Sequence, residues 1–182
     1  KLIDLDSDWV QSGVGNSLYI RPFMFASEAC VQASPAKEYR IMIICAPVSS
    51  YYNSGEVRVK IADHFSRAPQ GGTGYAKAAG NYAGQFYPTQ LAIDEGYQQI
   101  IWTDAATHQY IEEAGTMNLF FYIGDKLITA PTSDSILDGV TRKSVLELAK
   151  NHEIEVETRQ LSVPELVEAS KNNTLKEIFG SG

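Results

Sequence analysis

Apolar and polar positions along this chain follow two rhythms, and each predicts a different kind of element. Residues 18–25 are apolar and rich in β-formers, and Tyr39–Val48 (YRIMIICAPV) is the nearly unbroken apolar run expected of a buried strand. Residues 56–62 set Val57, Val59 and Ile61 against Arg58 and Lys60, which predicts a half-buried strand. Residues 98–103 predict another. Residues 119–123 and 126–129 flank Gly124-Asp125 and predict a hairpin. Residues 154–161 alternate, and 175–179 begin a last strand that runs into Gly180-Ser181-Gly182. Helix is predicted over much of 78–95, ending at Gly96, with Pro88 inside it and hence a kink or break. Residues 140–150 place Val145, Leu146 and Ala149 on one helical face. Residues 163–171 predict a helix with Pro164 in its first turn. Residues 66–74, with proline and glycines, predict a loop. About seven strands and three helices in mixed order predict an α+β fold, with mixed β-sheets and flanking helices.

Length and composition narrow the possibilities without naming a function. The 182 residues suit a single large domain spanning 1–182, and 44% apolar residues suffice for a substantial core. A net charge of −7 without a basic cluster argues against nucleic acid and anionic membrane as partners. No apolar run reaches the ~18 residues of a transmembrane helix. The acidic, mixed first ten residues do not resemble a signal peptide. Cys30 and Cys45 make no disulfide framework, and cytoplasmic localisation is the simplest expectation. His64, His108 and His152 are scattered without metal-ligand spacing, so no metal site is expected.

The chemistry concentrates in a few segments. Lys77 sits in GGTGYAKAAGNY (71–82), framed by small residues and with no carboxylate within ten positions on either side. A lysine must be neutral to attack an aldehyde, and desolvation away from carboxylates favours that form. Otherwise it is a cation poorly placed near a helix start. Tyr82 lies five residues on, ~140° around a helix axis. The two side chains diverge if both are helical, and can converge if Lys77 precedes the helix and Asn81 caps it. Glu113, followed by Ala114-Gly115, stands where backbone can pack against a flat ring; Glu112-Glu113 otherwise reads as a solvated pair. Gly139-Val140-Thr141 opens a predicted helix, whose free N–H groups suit a phosphate. Leu137 is placed to cover a ring face, while Arg142 and Lys143 are expected to face solvent.

Together these segments resemble the branched-chain amino acid aminotransferases, fold-type IV enzymes that use pyridoxal 5'-phosphate. The resemblance rests on SLYIRP (17–22), APVSSYY (46–52), GGTGYAKAAGNY (71–82), EAGTMNLFFY (113–122), LDGVTR (137–142) and EIFGSG (177–182), in family order through nearly the whole chain. It implies that Lys77 is the Schiff-base lysine and proton shuttle. Tyr82 would donate to the cofactor hydroxyl, and Glu113 would face the pyridine nitrogen. Leu137 would lie under the ring, with Val140 and Thr141 on the phosphate and Arg67 on the cofactor side. Thr116, Tyr19, Arg21 and Tyr51 match positions around the substrate. Val31 and Ala33 match a loop that reaches a neighbouring subunit.

The resemblance further implies a large cofactor-binding domain of the D-amino acid aminotransferase-like architecture. In the family a smaller N-terminal domain, supplying a phosphate-binding arginine and aromatic pocket walls, precedes this stretch, and Thr-Ala follows it. The expectation is thus a portion of a homodimeric transaminase acting on leucine, isoleucine or valine and 2-oxo acids, inactive by itself. A D-amino acid aminotransferase, an aminodeoxychorismate lyase of the same fold, and a non-catalytic fragment without cofactor are the alternatives.

Overall fold

A computed structural model describes residues 1–49 and 56–182. The chain divides into two compact units, Lys1–Gly55 and Glu56–Gly182. In the first, a short helix α1 (Leu2–Asp6) and a 3-10 turn (Ser7–Trp9) precede an antiparallel ribbon. This ribbon pairs β1 (Ser17–Ala26) with β2 (Tyr39–Val48), Ser17 opposite Val48 and Ala26 opposite Tyr39. The apolar run of β2 was expected to be buried, yet its side chains are almost all exposed. Each strand pairs only with the other, and in this unit no second layer covers either face of the ribbon among the described residues.

The second unit holds the expected mixed sheet. Its path runs β3 (Val59–Ile61), β4 (Gln99–Thr103), β5 (Tyr110–Ala114), β6 (Asn118–Ile123), β7 (Lys126–Thr129), β8 (Glu155–Thr158). Two further strands join it: β9 (Leu161–Ser162) beside β5 and β10 (Leu175–Ser181) beside β6. The predicted strand over 56–62 shrinks to three residues, and the one over 154–161 splits into β8 and β9. Strand β5 was not anticipated. Residues 119–123 and Lys126–Thr129 form the expected hairpin, with Ile123 opposite Lys126 and Gly124 at φ 61° in the turn.

Two crossovers position the site. Strands β3 and β4 are parallel and joined through α2 (Ala79–Asp94); β7 and β8 are parallel and joined through α3 (Val140–Asn151). Parallel strands need such connections, and ligands of parallel sheets gather where strands end and helices begin. Of the kink or break expected at Pro88, the break does not occur: helix α2 continues through it. The cost of proline falls on Gly84, whose carbonyl lies four residues earlier and loses its donor. Gly96, at φ 87°, ends the helix as expected.

Three clusters anchor these elements. Ala92 of α2 packs with Ala62, Ile100 and the fully buried Trp102. Ala149, Val145 and Leu146 of α3 meet Phe120, Leu127, Val156 and Phe179. Leu166 of α4 (Val163–Lys171) joins Ile101, Ile111, Leu119, Phe121 and Ile128. Ser162 caps α4 by accepting from the Glu165 amide at 3.1 Å. No helix among the described residues is long and apolar enough to cross a membrane.

Candidate active site

The loop between β3 and α2 carries Lys77. Its shape is fixed by Asn81, which does not cap α2 as expected; Ala78 occupies the N-cap position. Asn81 instead lies in the first turn, where its Nδ2 donates to the carbonyls of Thr73 (2.7 Å) and Ala76 (2.9 Å). The Thr73 hydroxyl donates back to Asn81 Oδ1 at 2.9 Å. Lys77 thus precedes the helix, and its Nζ stands 5.2 Å from the centre of the Tyr82 ring. The convergence asked of the two residues is met. The desolvation asked of Lys77 is not: it stands at the end of the loop before α2, and its side chain is exposed.

Glu113 projects from β5 into the same region. It is 4% exposed, so its environment decides its charge. Burial pushes its carboxyl up to about 7, against the pull of the Arg67 guanidinium and the Leu137 amide. Arg67 Nη2 lies 2.8 Å from Glu113 Oε1. Oε2 accepts from Asn118 Nδ2 at 3.0 Å and from the Leu137 amide at 3.2 Å. Glu112 is no solvated partner either. Adjacent strand residues face opposite sides, so it turns away and accepts from the Ser135 hydroxyl, with its carboxyl also raised by burial.

Strands β5 and β6 turn tightly between Ala114 and Met117, with paired backbone bonds between those residues. The turn sets Asn118 opposite Glu113. Asn118 also donates to the Leu137 carbonyl at 2.8 Å, tying β6 to the approach of α3. A Cβ on Gly139 would collide with Asn118 Oδ1, so any larger residue here must displace an amide that Glu113 and Leu137 hold. Helix α3 begins with no side-chain cap and no acidic residue in its first turn. Its first amides are therefore free to meet an anion.

These parts line one cavity of about 200 Å³. Of the expected site residues, Lys77, Tyr82, Glu113, Arg67, Thr116, Leu137, Val140 and Thr141 are all in its lining. Gly115, read above as backbone against a flat ring, and Ser181 and Gly182 of the glycine-rich end line it too, as do Asn118 and Met117, to which no role was given. Asn118 had one legible signal: it lies five residues after Glu113 across a glycine-containing turn. Arg142 corrects an expectation. Rather than facing solvent, it is 5% exposed and donates to the Ala130 carbonyl at 2.9 Å. Tyr19 and Arg21 lie on β1 of the first unit, the Arg21 guanidinium 5.0 Å from the Tyr19 ring centre. Val31 and Ala33 lie in an irregular, exposed segment of that unit. Tyr51 falls outside the described residues.

Residues 5–178 match the family described as amino-transferase class IV. The chain is 43% identical over 185 residues to a protein named probable branched-chain-amino-acid aminotransferase from Staphylococcus aureus (strain N315), covering all of this chain and 52% of that protein. It is 42% identical over 184 residues to branched-chain-amino-acid aminotransferase 2 of Bacillus subtilis (strain 168), covering all of this chain and 51% of the relative. Among solved structures, the branched-chain amino acid aminotransferase from Escherichia coli superposes with a TM-score of 0.70 at 30% identity, over 91% of this chain and 52% of that one. The chain spans about half the length of the curated relatives it matches. The match over nearly the whole chain and the shared α+β architecture place this chain in the class IV aminotransferase family, with the fold-type IV fold.

Proposed function

We propose that these residues form the cofactor-binding part of a pyridoxal 5'-phosphate-dependent transaminase. It moves the amino group between leucine, isoleucine or valine and 2-oxoglutarate, as a cytoplasmic homodimer. The observation that carries the reading is the convergence of Lys77, Tyr82, Glu113 and the uncapped start of α3 on one cavity. The names of the relatives support the substrate class.

The residues present suit such a cofactor. A helix start without cap or acid suits a phosphate. A buried carboxylate suits a protonated ring nitrogen, and the buried Ser181 hydroxyl in the cavity wall has no partner among the described residues. When bound, pyridoxal phosphate supplies an aldehyde for the amino group and a ring that delocalises the electron pair left at Cα. The chain's own groups divide the rest. The amides of Val140 and Thr141 and the Thr141 hydroxyl would hold the phosphate. Leu137 would cover one ring face. Tyr82 would donate from its hydroxyl. Glu113, drawn toward its charged form by Arg67, would hold the ring-nitrogen proton. Lys77 Nζ, once neutral, would accept the proton released from Cα and hold it for return. Thr116, Tyr19, Arg21 and Tyr51 are assigned to the substrate.

The test is to add pyridoxal phosphate, reduce with borohydride and map the modified lysine by mass spectrometry. The label is expected on Lys77 and absent from Lys77→Ala; a label on another lysine refutes the assignment. Keto-acid formation from L-leucine against D-alanine and aminodeoxychorismate then separates this reading from its relatives of the same fold. In the full-length protein, Glu113→Gln is expected to cost about two powers of ten in transamination, the scale of a charge-assisted hydrogen bond lost in a dry site.

A further inference from the structure

The short loop at 133–135 lies between β7 and α3, and the chemistry above assigns it no role. It nevertheless holds the pieces of the site together. The Asp134 carbonyl accepts from the Tyr75 amide at 3.0 Å, and its Oδ2 accepts from the Gly71 amide at 3.0 Å, so the lysine loop is docked onto it. The Ser135 carbonyl accepts from Arg67 Nη2, the nitrogen that also contacts Glu113. The Ser135 hydroxyl donates to Glu112 Oε1. Packing is equally close: a Cβ on Gly74 would stand 2.6 Å from the Ser135 Cα. Ser135 itself is 5% exposed, and the Arg67 and Glu113 side chains are 5% and 6% exposed. A buried arginine with several acceptors on one nitrogen is held by their placement. Its Nε, buried and unpartnered among the described residues, adds no anchor.

We propose that Ser135, fixed by Glu112, is a positioning residue that holds Arg67 against Glu113 and ties the lysine loop to the strand bearing that carboxylate. Two adjacent glutamates then serve one end through opposite faces of β5. Glu113 meets the cavity; Glu112 anchors the loop that orients the counter-charge of Glu113. The charged groups facing Glu113 are Arg67 from its loop, Lys77 from the end of the loop before α2 and Glu112 from its own strand. Ser135 is the one link in this chain that can be removed without altering any charge. The inference concerns the same site as the proposed function but does not need cofactor.

The experiment follows the Glu113 carboxyl by carbon NMR against pH in ligand-free protein labelled at glutamate. Arg67→Gln is expected to raise the Glu113 midpoint by about one to three pH units, the effect of losing an adjacent opposite charge. Ser135→Ala is expected to raise it by a fraction of that, about half a unit or more, although no charge has changed. Ser135→Thr keeps the hydroxyl and should titrate like the parent. If Ser135→Ala does not fold, Ser135→Cys, of similar size and a weaker donor, should shift the midpoint in the same direction. Wild-type midpoints in the Ala and Cys variants, with Arg67→Gln shifted, would overturn the positioning role. An unmoved midpoint in Arg67→Gln would overturn the link between Arg67 and Glu113. Failure of the wild type to bind pyridoxal phosphate would count against the proposed function and leave these midpoints as they are.

Discussion

Replacing Glu113 with glutamine should flatten part of the pH dependence of stability, and the structure sets the size of the effect. Burial raises this carboxyl from 4.5 to about 7 in the folded protein. Between those values the folded state keeps a proton that the unfolded chain has released. Unfolding free energy therefore falls as pH rises through the window. At about 1.4 kcal/mol per pH unit, a window of about 2.5 units amounts to about 3 kcal/mol. The glutamine also leaves the Arg67 guanidinium without its carboxylate, and losing one partner of a buried pair costs about 3–5 kcal/mol. That cost applies where Glu113 is ionised, at the upper end of the window; below about 7 the wild-type carboxyl is itself protonated, and the difference between the two pH values is set by its titration alone. The wild type should therefore exceed Glu113→Gln in stability by about 3 kcal/mol more at pH 4.5 than at pH 8. Urea unfolding read by Trp102 fluorescence measures this: Trp102 is fully buried in the second unit, and a Trp9→Phe background removes the other tryptophan. Parallel stabilities at the two pH values would show that Glu113 does not carry a raised affinity for its proton, and the reasoning would fail.

Thr141→Ala should weaken pyridoxal phosphate by about two- to tenfold, one hydrogen bond's worth, and leave pyridoxal without phosphate unaffected in a fluorescence titration. Gly139→Ala drives a Cβ into Asn118 Oδ1 and should cost about 1–3 kcal/mol in denaturant unfolding, together with a loss of cofactor affinity. Burial acts to raise the Asp104 carboxyl, but bonds from the Tyr110, Thr107 and Gln109 amides and the Thr107 hydroxyl outweigh it and bring it down to about 2 from 3.8. Its contribution is fully present above 3.8 and lost as pH falls through 2, and solvent screening of this half-exposed carboxyl trims it, so Asp104→Ala should cost about 1 kcal/mol at pH 7 and progressively less in acid.

The elements that a sequence reader can see are those whose own residues decide them. Helix α4 falls on its expected bounds because Ser162, Pro164 and its apolar face all act within one segment. The β6–β7 hairpin is legible because Gly124-Asp125 dictates a turn locally. Strand β5 was invisible for the opposite reason. Ile111 and Glu113 share its buried register, yet a glutamate reads as solvent-facing until its partner is known. That partner, Arg67, comes from a loop before α2. The ribbon misleads in the other direction: YRIMIICAPV has the composition of a core strand, and burial is a property of the layer above it, which the run itself does not encode.

The same distinction divides the site. Lys77 and Tyr82 could be paired from their spacing once a helix start was placed between them, and Gly139 to Thr141 could be read as an anion-binding helix end. What could not be read is what makes these groups act together. Arg142 is buried by a bond to the carbonyl of Ala130, and any residue supplies a carbonyl, so no side-chain pattern marks it. Ser135 is linked to Arg67 through its own carbonyl and to Glu112 through its hydroxyl, across separations that local spacing does not reach. Residues that perform chemistry are constrained in type and stand out in sequence. Residues that hold them in place are constrained mainly in position, and position becomes visible only when β3, β5 and β7 are gathered into one sheet.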